Sequence, residues 1–379
     1  MGAFLDKPNT EKFVQCGSSD DVRYGVVAMQ GWRVEMEDAH TAVLSIKGHD
    51  KWSFFAIFDG HAGQKVAKHA SEKLLPHITQ RSEFQEAGTS SNRVDSLKEA
   101  IKDAFIALDE EIQKDFPEET SGTTAVGVLI TETHVIFANC GDSRGLICRG
   151  GDVAFATKDH KPYEPLEKER IEKAGGNVVL QRVNGSLAVS RALGDLAYKR
   201  VEKLSLQEQL VSPMPDVVET ERQEGDEFVV LACDGVWDVM KNEEVSAYVR
   251  RKMLTTDNLT QIGSDLVDTC LNKGSRDNMS VIIIAFKDAP AVSEDAIEKE
   301  KERNEEIEKK LSDKLQELVT ENESEPLDDM YVMQQLTKDF PDEDIAAKKD
   351  YVLKALEKIK NRKYEVRLME QLSLKNSKA

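Results

Sequence analysis

The sequence predicts an α+β fold: a sandwich of two mostly antiparallel β-sheets flanked by helices, with a small helical subdomain after it. Three observations predict this. Short apolar runs bounded by Gly, Asp and Asn fall into two groups separated by helical pairs, without the regular alternation of a doubly wound parallel sheet. The stretches between the groups carry apolar residues at helical spacing. Near Pro290 the strand-like runs stop, and charged residues with Leu and Ile at helical spacing take over. This boundary gives one large domain of residues 1–292 and an antiparallel helical subdomain of residues 293–379.

Each element has its own signal. Residues 1–20 are polar and read as an arm. Residues 24–29 and 41–46 read as strands. The connection between them, residues 31–40, is unusually charged, and in extended form Arg33, Glu35 and Glu37 would point one way. Residues 52–58 are apolar and aromatic-rich, as in a strand buried on both faces. Val66, Ala67, Ala70, Leu74 and His77 mark a helix, residues 82–91 a polar loop, and Val94, Leu97, Ile101, Ala104, Phe105, Leu108 and Ile112 a second, longer helix. From 123 to 156 the pattern is β again, turning at Glu132-Thr133 and Gly150-Gly151. Residues 162–183 read as a charged helix-and-loop insertion, 242–251 and 259–271 as helices, and the last core strand ends near Phe286. Ile307, Leu311, Leu315 and Leu318 mark one C-terminal helix, 327–336 another, and Ile345, Val352, Leu356 and Ile359 a third, with salt-bridge-laced outer faces.

Composition excludes several functions. A net charge of −19 argues against nucleic-acid binding, which needs a basic face, and against broad binding to anionic lipid. Part of that acidity suits a cation site. The five cysteines are odd in number and form no C-x-x-C pair, as for reduced core thiols of an intracellular protein. No apolar run approaches the roughly 18 residues of a membrane span, and no signal peptide is expected. The expected location is the cytoplasm and nucleus. Gly2 is a lipidation candidate for N-myristoylation, although Asp6 stands where that motif wants Ser or Thr; one such chain would give only a weak peripheral membrane fraction.

The chemistry lies where apolar runs end. Residues 52–58 lead into Asp59, Gly60 and His61. Residues 135–140 lead through Gly141 into Asp142. Residues 228–233 lead into Asp234, with Asp238 close behind, and Asp277 stands just before the run 279–286. With Glu37 and Asp38 these form an all-oxygen set, without the His and Cys ligands of zinc. Hard oxygen ligands favour Mg²⁺ or Mn²⁺, and the wide spacing excludes an EF-hand loop. Two divalent ions sharing a carboxylate can hold a hydroxide for in-line attack on phosphorus. Arg33 can clamp two phosphate oxygens through its planar fork, and His61 can protonate the leaving oxygen as general acid. A competing pattern is residues 141–145, which match the G-x-S-x-G elbow of serine hydrolases at Ser143. The strand resuming at 146–148 suggests a hairpin there instead of strand, turn and helix, and only His160 follows as a base.

Seven segments in order complete the pattern: MQGWRVEMEDAH at 29–40, FDGHAG at 58–63, SGTTA at 121–125, NCGDSR at 139–144, LAVSRALGD at 187–195, ACDGVWD at 232–238 and SRDNMS at 275–280. Over residues 24–286 the chain resembles the metal-dependent protein serine/threonine phosphatases of the protein phosphatase 2C family. Its start and appended helices look like those of the animal alpha/beta-type members. The resemblance implies a β-sandwich with metals in a cleft at one end. It implies a monomeric signalling enzyme that hydrolyses phosphoserine and phosphothreonine in proteins by direct attack of a water or hydroxide bound to Mg²⁺ or Mn²⁺. It makes Asp59 the bridge between two ions and Gly60 a carbonyl ligand, gives Asp234 and Asp277 to one ion, and puts Glu37, with Asp38 through water, by the other. Asp142 and Asp238 match a third, weaker metal position, Arg33 the phosphate-binding arginine and His61 the general acid. Residues 162–182 match a flap beside the cleft, to which no role is carried over. The alternative, a catalytically silent phosphoprotein-binding module on this fold, would be marked by lost metal ligands, and none is missing.

Overall fold

β-branched and aromatic residues bury well on a pleated surface, and the apolar runs pair accordingly. The computed structural model describes residues 4–361 other than 87–92, 322–327, 341–344, 346, 347 and 350. The Gly2 lipidation candidate and Leu327, at the start of the second C-terminal helix, lie outside the described residues. The first sheet has the order Phe4–Ser18, Arg23–Arg33, Met279–Ala285, Asp226–Ala232, Arg144–Arg149, Asp152–Ala156. The second has the order Asp216–Glu221, His134–Cys140, Ala125–Ile130, Ser53–Phe58, Ala39–Val43. Every neighbouring pair is antiparallel.

The two sheets face each other across a core of Val26, Phe55, Ile57, Val128, Phe137, Val229, Leu231, Ile282 and Ile284. Strand Ser53–Phe58 sends Phe55 and Ile57 there, and Phe54, Ala56 and Phe58 to the opposite face. That face packs on the helices Lys65–Thr79 and Arg93–Asp115 through Val66, Ala70, Leu74, Ile101 and Phe105. The outer face of the first sheet packs likewise on Asn242–Met253 and Leu259–Asn272.

Glu294–Glu321, Asp329–Asp339 and residues 351–361 are the C-terminal helices. Their apolar stripes, including Ile307, Leu311, Leu315, Leu336, Val352 and Leu356, meet in one cluster. They touch the sandwich through Met330, on the core beneath helix Leu259–Asn272, and through the Arg251–Glu300 ion pair at 3.2 Å. Among the described residues no helix is long and apolar enough to cross a membrane. None of the five cysteines is in a disulfide, and all but Cys16 are buried.

Four expectations are corrected. Residues 4–18 are the edge strand of the first sheet, paired with Arg23–Arg33 through register shifts. Strand pairing is backbone chemistry, so a polar edge strand needs no apolar signature. Residues 140–144 form no hairpin: His134–Cys140 lies in the second sheet and Arg144–Arg149 in the first, so the chain crosses the sandwich between them. The charged connection does not stay extended, because strand Arg23–Arg33 gives way to a bend at Val34 and Glu35. Within the expected loop, Ser82–Glu86 is a short helix that buries Phe84 edge-on against Trp52, with ring centroids 5.5 Å apart.

Candidate active site

Strand direction brings the aspartates together. Ser53–Phe58 and His134–Cys140 both pair antiparallel with Ala125–Ile130, so they run parallel and end at the same edge of the sandwich. In the first sheet, antiparallel pairing puts the end of Asp226–Ala232 beside the start of Met279–Ala285. Asp59, Asp142, Asp234 and Asp277 follow or precede those four ends, two from each sheet.

Electrostatics shows how tightly they converge. The Asp59 carboxyl is pushed well above the usual carboxylate range, first by burial and then by Asp234, Asp38, Asp142 and Asp277. Asp234 is raised likewise by burial, Asp142, Asp277 and Asp238, with Lys161 opposing. Asp238 is more exposed; partial desolvation, then Asp142 and Asp277, raise it, and Lys161 again opposes. Burial pushes Asp38 up to about 6 against the hydrogen bond from Ser280. So many carboxylates in one partly dry site cannot all ionise without a compensating cation. Ser280 Oγ donates to Asp38 Oδ2 at 2.6 Å, while Asp38 Oδ1 is buried with no hydrogen-bond partner among the described residues. An all-oxygen donor set with an orphaned carboxylate oxygen fits a hard divalent ion.

The bend after Arg33 is pinned by Asn278. Its Nδ2 donates to the carbonyls of Gln30 and Glu35 at 2.9 and 3.0 Å, and its Oδ1 accepts the Glu37 N–H at 2.8 Å. Glu37 Oε1 in turn accepts the Gly63 N–H at 2.5 Å. Close approach here requires glycine. A Cβ on Gly60 would stand 2.4 Å from the Glu37 carbonyl oxygen, and one on Gly235 would stand 2.0 Å from that of Asn278. Arg33 Nη2 lies 2.5 Å from Asp277 Oδ2. Burial lowers the guanidinium pKa, and Asp277, Asp234 and Asp59 outweigh it. All the sequence-predicted site residues among those described are thus gathered at this edge.

Other residues were not predicted. Lys161 Nζ pairs with Asp142 Oδ2, so this candidate for a third cation position already faces an ammonium. Asp195, the last residue of the segment 187–195, accepts from His61 Nε2 at 2.6 Å. Burial pulls the imidazole pKa down, and Asp195, then Asp142 and Glu37, raise it further than burial lowers it. Cys233 offers its sulfur within 4.8 Å of donor oxygens on Asp38 and Asp59. Burial holds that thiol well above its usual pKa, and Sγ is engaged by the Ser280 N–H at 3.1 Å and the Asn278 carbonyl at 3.4 Å. It is a packed, protonated thiol. Asn278, Ser280 and Cys233 all flank predicted acids within the quoted segments, which is the one signal that pointed to them.

The serine-hydrolase alternative fails on geometry. Ser143 is fully buried and its hydroxyl is 2.7 Å from that of Thr124. The proposed base, His160, spends Nδ1 on the Gly141 N–H at 3.1 Å.

The Protein phosphatase 2C family model matches residues 22–279, and that of the protein serine/threonine phosphatase 2C C-terminal domain matches residues 280–357. Protein phosphatase 1B of Mus musculus is 52% identical over 340 residues, 87% of this chain and 86% of that protein. Protein phosphatase 1A of Bos taurus is 52% identical over 346 residues, 89% of each. Among solved structures, a phosphatase from a pathogenic strain of Toxoplasma gondii superposes with a TM-score of 0.64 at 26% identity, over 73% of this chain and 96% of that one. The chain belongs to the protein phosphatase 2C family of protein serine/threonine phosphatases.

Proposed function

We propose that this phosphatase hydrolyses phosphoserine and phosphothreonine in proteins and depends on Mg²⁺ or Mn²⁺ to do so. The observation that carries this is the convergence of four strand-end aspartates, two from each sheet, at one half-buried edge. In this reading Asp59, the Gly60 carbonyl, Asp234, Asp277, Glu37 and Asp38 would hold the ions, and Asp142 with Asp238 would hold a further, weaker one. When bound, such ions supply Lewis-acid activation of water and neutralise phosphoryl oxygens. The chain's own residues bind, orient and move protons. Arg33 exchanges its Asp277 partner for two phosphate oxygens of the substrate, fixing the ester against the cluster. His61 gives a proton to the departing serine or threonine oxygen, which as an alkoxide would be a poor leaving group. The buried Ser143 hydroxyl and the protonated Cys233 thiol are poorly placed as nucleophiles, which favours water as the attacking group. The catalytic unit is proposed to run to residue 292, since strand Met279–Ala285 lies inside the first sheet.

The test is release of phosphate from a phosphothreonyl peptide and from p-nitrophenyl phosphate, by protein stripped with EDTA and then resupplied with Mg²⁺ or Mn²⁺. Activity should vanish on stripping and return with either ion. Equal rates in EDTA would contradict the metal dependence.

A further inference from the structure

Three very short strands lie beside the sandwich edge in the order Leu193–Gly194, Gly122–Thr123, Gly60–His61. Gly122 is the middle residue of one row, opposite His61 on one side and Gly194 on the other. On such a sheet the residues flanking a central position are neighbours across it only if that position carries no side chain. Gly122 carries none. A Cβ there would stand 2.2 Å from Asp195 Oδ2 and 2.6 Å from His61 Nε2, so it would occupy the space in which the two now meet.

Asp195 is held for this contact. Its backbone is left-handed, with φ 51°, a conformation that Asp and Asn tolerate better than most residues. Its N–H donates to the Ser121 carbonyl. The preceding Gly194 N–H donates to Asp109 Oδ1 at 2.8 Å, and the same oxygen takes the fully buried Lys199 ammonium at 2.7 Å. Lys199 also donates to the Ala192 carbonyl at 2.8 Å. A buried ion pair thus clamps the loop from 192 to 199 on both sides of Asp195. With Nε2 committed to Asp195, the imidazole presents Nδ1, which has no hydrogen-bond partner among the described residues.

We infer that Asp195 is the positioning residue for His61: across the gap left by Gly122 it fixes the ring and keeps Nε2–H engaged, so that Nδ1–H is the proton given to the leaving oxygen. This rests on the assignment of His61 as general acid. In the step, the Nδ1–H bond breaks as the phosphorus–oxygen ester bond breaks. The proton goes to the departing oxygen, and a neutral imidazole, still donating from Nε2 to Asp195, remains.

Leaving-group dependence tests this, because p-nitrophenolate departs without a proton whereas an alkoxide does not. The full chain in saturating Mg²⁺ is assayed as wild type, Asp195→Asn, Gly122→Ala, His61→Gln and the Asp195→Asn/His61→Gln double variant. Asn accepts the left-handed backbone, and thermal melting verifies that each variant folds. Asp195→Asn should lower kcat on a phosphothreonyl peptide by about 10- to 100-fold, a part of the full general-acid effect, with much less loss on p-nitrophenyl phosphate and little change in KM. Gly122→Ala, which alters no charge, should show the same selective loss, and the double variant should be no slower on the peptide than His61→Gln alone. Equal losses on both substrates for Asp195→Asn, or additive losses in the double variant, would overturn the positioning role. If His61→Gln itself loses equally on both substrates, the general-acid assignment falls, and the positioning role falls with it.

Discussion

Asp234 is half-buried among like charges, and that fixes the sign of two effects. Its folded-state pKa is raised, so its contribution to stability is present when protonated and is lost as pH rises. In metal-free protein near neutral pH, Asp234→Ala should therefore raise the melting temperature, checked by thermal denaturation in EDTA. The same variant should lose more than about 100-fold in phosphopeptide turnover at every Mn²⁺ concentration, since even outer-shell partners of metals are worth about 10–100-fold. Near-normal turnover in saturating Mn²⁺ would contradict it. Arg33→Ala removes a clamp in which even one charged hydrogen bond contributes about 1.5–3 kcal/mol, so kcat/KM should fall by at least roughly 10- to 100-fold, mostly through KM. At this scale the acids were legible because a carboxylate at the end of an apolar run has to find a partner. Asp195 was not, because its partner is chosen by two-residue strands and a left-handed backbone that leave no periodic signal.

Elements were legible where burial imposes a pattern. Strand Ser53–Phe58 is covered on both faces and reads as an uninterrupted apolar run. Strand Phe4–Ser18 is covered by little and pairs through its backbone, so its sequence looks like an arm. The crossing at residues 140–144 looked like a hairpin because strand, turn and strand is the same text in either case. What separates the two strands is their later partners, Asp216–Glu221 in one sheet and Asp226–Ala232 in the other. The helix Pro165–Lys173 carries a further prediction. Burial alone would raise the Glu167 pKa, but hydrogen bonds and charges from Arg191 and Arg170, with Ser190, hold it down to about 2. Its stabilising contribution is present above the ordinary value of 4.5 and is lost as pH falls toward 2. Glu167→Gln should cost about 3–5 kcal/mol at neutral pH, as when one partner of a buried pair is removed. The deficit against wild type in urea unfolding should shrink steadily between those two pH values, and a pH-independent deficit would contradict the pairing.

For the molecule as a whole, the fold spends its edge on a concentration of negative charge that works against its own stability. A net charge of −19 adds to that repulsion. The cation that relieves it is the same one on which the chemistry is proposed to depend, so stability and activity should rise together with divalent ion. The C-terminal helices pack on helix Leu259–Asn272, and the described residues give them no hydrogen bond or ion pair to the acid cluster. The measurement that tests the account most directly is calorimetric titration of Mn²⁺ into EDTA-stripped protein, with melting temperature followed in parallel. Wild type should bind at least two ions and melt higher, by an amount equivalent to about 2.7 kcal/mol for each ion once Mn²⁺ reaches 100 times its Kd, and Asp59→Asn should lose most of both effects. A wild-type chain that binds no Mn²⁺ and melts at an unchanged temperature would contradict the convergence of these acids on a metal site.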